Sequence, residues 1–146
     1  MVEVRPCRPD EVADALALWD RCRSSHAVTP DSFERVAQLV ADDREALLLA
    51  ELDGELVGTV IGAWDGWRGN FYRLAVLPEH RRRGIGRQLV AAAEERLRGR
   101  GAPRVTALVA FDDADATAFW EAAGYARDPV IGRMVRTLPA AGRSRR

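Results

Sequence analysis

FYRLAVLPEHRRRGIGRQL, residues 71–89, is the stretch that decides the fold. Its first seven residues are rich in aromatic and branched apolar side chains, which favours a β-strand, and Pro78 ends that strand. After the turn at 81–86, apolar residues recur every four positions, as on one face of a helix: Ile85, Leu89, Ala93 and Leu97. The arginine- and glycine-rich turn therefore lies where a strand passes into a helix.

This turn has the chemistry of an anion site. The first N–H groups of a helix have no partner within it, and the helix dipole adds about half a positive charge, so an anion is favoured there. Gly84 and Gly86 have no Cβ, which allows backbone amides to approach a bulky phosphate. Forked donors are added by the side chains of Arg81, Arg82, Arg83 and Arg87. The alternative is a solvated arginine turn that only caps a helix.

Two familiar phosphate motifs do not match these residues. A P-loop has Lys and then Ser or Thr after its second glycine, whereas Arg87 and Gln88 follow Gly86 here. The dinucleotide fingerprint GxGxxG would place a third glycine at position 89, which is Leu89. The sequence therefore supports neither nucleotide-binding fold.

Residues 81–86, RRRGIG, resemble motif A of the GNAT family, the GCN5-related N-acetyltransferases. That motif is Arg or Gln, two residues, Gly, any residue, then Gly or Ala. LAVLPEH before it and RQLVAAAEERL after it make the likeness specific. Residues 58–86 are also similar to the small, single-domain YpeA-like branch of the family.

The rest of the chain predicts a strand, two helices, three antiparallel strands, a helix, a strand, a helix and a last strand. The first helix is capped by Asp10 and has the apolar face Val12, Leu16, Trp19 and Cys22. The second turns Phe33, Val36, Ala37 and Val40 inward, and Asp53-Gly54 joins two strands as a hairpin turn. Gly99 to Gly101 ends the motif A helix. The later elements are strand 105–110, helix 114–123 closed by Gly124, and strand 130–138.

This order is similar to the GNAT core over about residues 2–138. The resemblance implies an α/β (α+β) fold: a central mixed, mostly antiparallel sheet with helices on both faces and a splay between the fourth and fifth strands. Residues 1–138 are expected to form a single acetyltransferase domain. Residues 139–146 are a polar tail, which we expect to be disordered.

The resemblance implies acetyl-CoA as co-substrate and no metal. Backbone groups of Leu74, Ala75 and Val76 would contact the pantetheine arm and the thioester carbonyl. The pyrophosphate would be held by the turn and the start of the helix: Arg81, Arg82, Arg83, Gly84, Ile85, Gly86 and Arg87.

A second family motif departs from the pattern. It reads Asn, six residues, Tyr, and this chain has Asp113, six residues, Trp120, then Gly124-Tyr125. In the family the Asn helps to hold the cofactor arm and the Tyr donates a proton to the departing sulfur. We place Asp113 and Trp120 at the cofactor, although an ionised carboxylate cannot donate as an amide does and an indole N–H is no usable acid. Tyr72 and Tyr125 are the alternative proton donors.

No residue is assigned as the general base. Where related enzymes carry glutamates, this chain has Asn70 and Leu108. His26, in the loop at 24–30, is a residue type that could act as a base through a water, but the favoured interpretation is a solvated loop histidine. His80 is expected to line the phosphate mouth.

Composition limits the partners. The 22 acidic residues balance 22 basic ones, so net charge gives no reason to expect nucleic acid or an anionic membrane as a partner. All of the basic residues are arginine. Cys7 and Cys22 have neither metal-ligand nor disulfide-scaffold spacing, and no signal peptide is apparent. The sequence predicts a cytoplasmic protein, with homodimer formation open through an exposed final strand.

The resemblance predicts acetyl transfer to a primary amine, which attacks the thioester directly while both substrates are bound. Small amines, protein N-termini and lysine side chains all remain open as acceptors. The first two helices, the loop at 24–30 and the turn at 65–69 would wall the acceptor side. A non-catalytic acyl-CoA binding or sensing domain is the alternative function, because of Asp113, Trp120 and the missing glutamates.

Overall fold

The computed structural model describes residues 1–22 and 31–141 of the 146-residue chain. The loop predicted at 24–30, including His26, and residues 142–146 lie outside that part. The described residues form five strands and four α-helices: β1 Val2–Pro6, α1 Val12–Arg21, α2 Phe33–Asp42, β2 Leu47–Leu52, β3 Glu55–Trp64, β4 Gly69–Val76, α3 Ile85–Gly99, β5 Val105–Ala107 and α4 Ala114–Ala122. Short 3-10 turns precede α1, at Pro9–Glu11, and follow β4, at Pro78–His80.

The strands form one mixed sheet in the order β1-β2-β3-β4-β5. The first four are antiparallel neighbours, and β5 runs parallel to β4. The β2–β3 hairpin turns at Asp53 and Gly54, whose φ angles of 52° and 81° are the left-handed pair that a type I′ turn requires. The predicted hairpin and three-strand meander are confirmed.

Helices cover both faces of the sheet. On one face, α1 and α2 pack Val12, Trp19 and Val40 against the core side chains of β2. On the other, α3 packs the four residues predicted for its inner face, Ile85, Leu89, Ala93 and Leu97, none of which is more than 2% exposed. The predicted fold class is therefore confirmed, including a mostly antiparallel sheet between two helical layers.

Two details of the helical layers differ from the prediction. Asp10 lies inside the 3-10 turn and does not cap α1, because Pro9 starts that turn early and α1 begins only at Val12. Phe33 is at the first position of α2, where its side chain is 49% exposed, while Val36 and Val40 one and two turns later are buried.

The C-terminal prediction was wrong. Residues 130–138 form no strand, and their large apolar side chains are 71–98% exposed. Strand β5 ends at Ala107, not at Ala110, because β4 pairs with it only as far as Phe71. A β-prone sequence becomes a strand only when a neighbour supplies hydrogen bonds, and neither stretch has one within the described chain.

A buried ion pair joins α3 to the chain between α2 and β2. Arg96, whose side chain is 5% exposed, donates from both terminal nitrogens to Asp43, over 2.9 and 2.5 Å. Its Nε donates to the carbonyl oxygen of Gly62 in β3, 3.0 Å away. Arg96 therefore connects the two helical layers past the C-terminal end of β3.

None of the helices within residues 1–22 and 31–141 is both long and apolar enough to cross a membrane.

Candidate functional site

The sheet opens between β4 and β5. Their ladder joins Gly69, Asn70 and Phe71 to Val105, Thr106 and Ala107, and no further pair forms among the described residues. Beyond it, Ala75 and Val76 pair with β3 and have no strand partner on their other side among the described residues. Leu74, just before them, has no register partner in β3, and all three residues are half-buried. We call the gap beside these three residues the splay. It confirms the opening that was predicted between the fourth and fifth strands.

A β-bulge lies immediately before the splay. Thr59 of β3 pairs with Ala75 and Ile61 pairs with Tyr72, so two residues of β4, Arg73 and Leu74, lie opposite one residue of β3. Arg73 has a φ of 53°, in the left-handed region that residues with a side chain seldom adopt. Because a bulge bends its strand and changes the direction of the following groups, this one sets where the backbone of Leu74 to Val76 points.

A buried hydroxyl holds the bulge in place. Thr59 is fully buried, accepts a hydrogen bond of 2.7 Å from the indole N–H of Trp19, and donates one of 2.8 Å to the carbonyl oxygen of Arg73. The Arg73 side chain is held as well, since its Nε and Nη2 donate to Asp31 over 2.8 and 2.6 Å. Trp19 of α1, Thr59 of β3 and Asp31, two residues before α2, thus together hold the strained residue.

Replacing Thr59 tests this arrangement. Thr59→Val keeps the side-chain volume but leaves the indole N–H of Trp19 buried without this acceptor, so we expect the free energy of unfolding to fall by about 1–3 kcal/mol. Thr59→Ser is the matched control, since it keeps the hydroxyl and should cost only about 0.8 kcal/mol for the lost methyl group. Urea unfolding of both variants measures the difference. Equal losses would show that the hydroxyl does not support the bulge.

The second part of the site is the N-terminus of α3, which follows β4 after one 3-10 turn. Gly84 is its N-cap with a φ of 80°, and it supplies no side-chain cap to the first N–H groups of this 15-residue helix. A Cβ at Gly84 would have no atom within 4 Å, so the space beside this N-cap residue is open. Four exposed arginines lie within three residues of Gly84 in the sequence: Arg81, Arg82, Arg83 and Arg87. This uncapped, arginine-lined terminus fits an anionic phosphate group.

Two residues of the turn have roles that the sequence did not reveal. Gly86 faces α4, where an added Cβ would lie 3.0 Å from the ring of Phe119, so a glycine here also permits close packing of α3 and α4. Arg81 turns its Nε back to the carbonyl oxygen of Val76, over 2.9 Å. It thereby ties the turn to the end of the splay. The side chain of Ile85 is 2% exposed, which leaves only its backbone for ligand contact.

The residues of the second motif lie on α4. Asp113 caps this helix by accepting a 3.0 Å bond from the N–H of Ala116. Trp120 is 9% exposed and packs in an aromatic cluster, with ring centroids 5.5 Å from Phe71 and 5.0 Å from Tyr125. Its ring is therefore part of the hydrophobic core beside β4.

The two candidate proton donors, Tyr125 and Tyr72, differ in their exposure and in their hydrogen bonds. Tyr125 donates from its hydroxyl to Glu94 over 2.5 Å, and burial together with that carboxylate raises its pKa, which makes it a poorer acid. Tyr72 is 44% exposed on the strand that carries the splay.

His80, expected at the phosphate mouth, is directed elsewhere. Its Nε2 lies 3.7 Å from a carboxylate oxygen of Glu55, at the start of β3. Its Nδ1 is buried, with no hydrogen-bond partner within residues 1–22 and 31–141. In the same part of the chain, no group of three or more His, Cys, Asp and Glu side chains is placed to hold a metal ion.

Comparison with known proteins accounts for this arrangement. The sequence profile of the acetyltransferase (GNAT) family matches residues 12–125, which include the splay, the bulge and the α3 N-terminus. The chain belongs to the acetyltransferase (GNAT) family. It is also 36% identical over 118 residues to acetyltransferase plu1384 from Photorhabdus laumondii, a match that covers 81% of each protein. As a member of this family, the 146-residue chain is an acetyl-CoA-dependent acetyltransferase.

Solved structures share its fold. One is AAC(6')-Iy in complex with the bisubstrate analogue CoA-S-monomethyl-acetylneamine, which has a TM-score of 0.75 and 17% identity and covers 94% of this chain and 99% of that one. Another is the ribosomal-protein-S18-alanine N-acetyltransferase from Escherichia coli, with a TM-score of 0.70 and 21% identity over 85% of this chain and 77% of that one. At these identities the likeness shows the fold.

The sequence of this GNAT chain predicted the strand and the helix N-terminus that form the candidate site. It did not predict the residues that hold the bulge in place. Thr59 reads as an ordinary strand residue, and neither its burial nor its two hydrogen bonds is visible in the pattern of β3. The pair of Arg73 and Asp31 joins residues 42 positions apart, so no local spacing could indicate it.

Proposed function

We propose that this acetyltransferase moves the acetyl group of acetyl-CoA to a primary amine, which attacks the thioester directly while both substrates are bound. The observation that carries the proposal is the meeting of two features at one end of β4. A splay exposes strand backbone, and an uncapped, arginine-lined helix N-terminus follows it. Together they suit a long ligand with an apolar arm and an anionic end.

Backbone groups of Leu74, Ala75 and Val76 would bind the pantetheine arm and the thioester carbonyl. A strand with no neighbour on one side has N–H and C=O groups available for a ligand. N–H groups aimed at a carbonyl oxygen stabilise the negative charge that develops there during attack. When bound, acetyl-CoA supplies the activated acetyl group. The bulge at Arg73 sets the direction of the backbone groups that would contact the thioester.

The α3 N-terminus would bind the pyrophosphate. Its first amides, next to Gly84, Ile85 and Gly86, lie at the positive end of the helix dipole. Exposed Arg82, Arg83 and Arg87 add charge-assisted hydrogen bonds. Arg81 donates its Nε to the carbonyl oxygen of Val76 and would add its positive charge to the site.

Asp113 and Trp120 would border the cofactor from α4 without supplying a proton. The Asp113 carboxylate is used as a helix cap, and the Trp120 ring is packed among Phe71, Phe119 and Tyr125. A thiol has a pKa of about 8.5, so a thiolate can leave near neutral pH without a strong acid beside it. Proximity of the two substrates then supplies much of the rate, roughly 7–11 kcal/mol in well-oriented systems.

The acceptor side favours an amine of low charge. Next to the bulge, the Asp31 carboxylate is neutralised by Arg73, whose guanidinium also lies 5.8 Å from the centre of the Trp19 ring. This paired group gives no excess negative charge to attract a polycation. A small amine or a protein N-terminus with apolar surface would therefore be a better acceptor than a polycation.

A screen of amines tests the proposal. Release of CoA from acetyl-CoA is measured with small amines, N-terminal peptides and lysine peptides, and we expect release with at least one singly charged amine above the rate without acceptor. The Gly84→Glu variant, whose cofactor site is disrupted, is the control for enzyme-dependent release. Binding of acetyl-CoA with no release across the panel would instead support a non-catalytic acyl-CoA binding domain.

A further inference from the structure

The splay has a closed end. Strands β4 and β5 separate after the pair of Phe71 and Ala107, and we call that point the apex. The α3 N-terminus, where the pyrophosphate would bind, follows the other end of β4, after Val76 and one 3-10 turn. A cofactor arm that runs along the splay from the α3 N-terminus therefore directs its acyl end toward the apex.

Aromatic rings close one face of the apex. The ring centroids of Trp120 and Phe71 are 5.5 Å apart, and the two residues are only 9% and 3% exposed. Leu74 and Val76 of the splay, and Ala107 at the apex, pack against the same hydrophobic cluster. The side of the apex that faces α4 is therefore filled by Trp120 and its neighbours.

The Trp120 ring is held firmly in this position. Phe119 and Tyr125 pack against it edge to face, with ring centroids 5.3 and 5.0 Å away. Tyr125 is itself fixed by its hydrogen bond to Glu94 of α3. Extra atoms in a packed cluster of this kind force side chains away from their preferred rotamers. Trp120 thus gives the apex a rigid apolar wall.

The opposite face of the apex is more open. Successive side chains of a strand point to opposite faces, so Tyr72 lies on the other side of the sheet from Phe71 and Trp120. There Tyr72 is 44% exposed. An amine could approach the acyl carbon from this face, whereas the rings block an approach from α4. The acyl group would then lie between the incoming amine and the Trp120 ring.

We propose that, with acetyl-CoA bound as in the proposed function on which this inference rests, Trp120 limits the length of the acyl group that the protein accepts. The methyl group of an acetyl thioester would contact the indole ring. A longer chain such as butyryl would have to displace that ring or withdraw from the apex. A hydrophobic pocket discriminates between chains that differ by one methylene by roughly 10–200-fold. Trp120 would therefore select the acyl donor without supplying a proton.

Binding of thioesters of different length tests this inference without an acceptor. Isothermal titration is carried out with CoA, acetyl-CoA and butyryl-CoA. We expect the wild type to bind butyryl-CoA at least about tenfold more weakly than acetyl-CoA, and Trp120→Leu to bring the two dissociation constants within about threefold of each other. Trp120→Phe keeps an aromatic ring in the cluster and should give an intermediate ratio. Circular dichroism verifies that each variant is folded.

Phe119→Leu is the matched control, since it makes the same kind of replacement at the neighbouring residue. The Phe119 ring faces the start of α3, where a Cβ on Gly86 would lie 3.0 Å from it, so this variant should keep the wild-type ratio of the two dissociation constants. An equal change of that ratio in Phe119→Leu, or no change in either Trp120 variant, would overturn the proposal.

The titration with CoA separates this proposal from the proposed function. If CoA binds to the wild type but acetyl-CoA and butyryl-CoA bind equally well, the role of Trp120 is wrong and the cofactor site stands. If CoA and both thioesters fail to bind, the proposed function and the role of Trp120 are wrong together.

Discussion

Gly84→Glu is expected to weaken acetyl-CoA binding by roughly 100-fold or more. The added carboxylate would lie at the open N-terminus of α3, where it would accept hydrogen bonds from the free N–H groups and repel the pyrophosphate. Loss of two charge-assisted hydrogen bonds, worth about 1.5–3 kcal/mol each, corresponds to at least that factor. Isothermal titration with acetyl-CoA measures it directly, and the thermal stabilisation by the cofactor should disappear as well.

Gly66→Glu is the matched control for this experiment. Gly66 has a φ of 88° against 80° at Gly84, and an added Cβ at either position meets no atom within 4 Å. Both substitutions therefore carry the same charge and the same left-handed strain of about 1–2 kcal/mol. Since Gly66 lies in the turn between β3 and β4, its variant should bind acetyl-CoA as the wild type does. Equal affinities for all three proteins would rule out the α3 N-terminus as the phosphate site.

Asp43→Ala is expected to have the largest effect on stability, a loss of about 3 kcal/mol. Removing this carboxylate leaves the Arg96 guanidinium, only 5% exposed, without its bidentate partner. Breaking a buried pair from one side costs about 3–5 kcal/mol in general, and the value here is at the lower end because Asp43 is 21% exposed. For a chain of this size we expect the melting temperature to fall by roughly 10 °C.

Asp42→Ala controls for the loss of an aspartate at the same helix end. Asp42 is exposed and accepts a hydrogen bond from Gln38 on the surface of α2, so its removal should change stability by less than about 0.5 kcal/mol. Chemical unfolding of the two variants side by side measures the contrast. A similar small loss for both would show that Arg96 finds enough compensation from the carbonyl oxygen of Gly62 and from Glu45, whose carboxylate lies 3.9 Å away.

The strand, turn and helix around motif A could be predicted because their signals are local. A β-prone run, a proline, two glycines and a four-residue apolar repeat lie within about 27 residues, and each acts through its own backbone or its own helix face. The same holds for the Asp53-Gly54 hairpin, which depends on residues within a few positions of each other.

The support of the site could not be predicted, because it depends on distant residues. Thr59 meets Trp19, which is 40 positions earlier, and Arg73, which is 14 positions later. The bulge itself depends on the register between β3 and β4, and the sequences of both read as regular strands. Trp120 is a second example: its place in the motif predicts a position at the cofactor, and only the structure shows that its ring also packs against Phe71 and Tyr125.

The order of the elements, the inner face of α3, the glycine turns at Gly54 and Gly84, and the family all follow from the sequence alone. These follow from short-range preferences, which a single stretch of chain expresses whatever surrounds it. Only the tertiary structure decided where β4 leaves β5, which hydroxyl holds the bulge, and that the β-prone residues 130–138 stay unpaired. The physical reason is that strand pairing and burial are properties of two segments together, and the partner of a strand is not written in the strand's own residues.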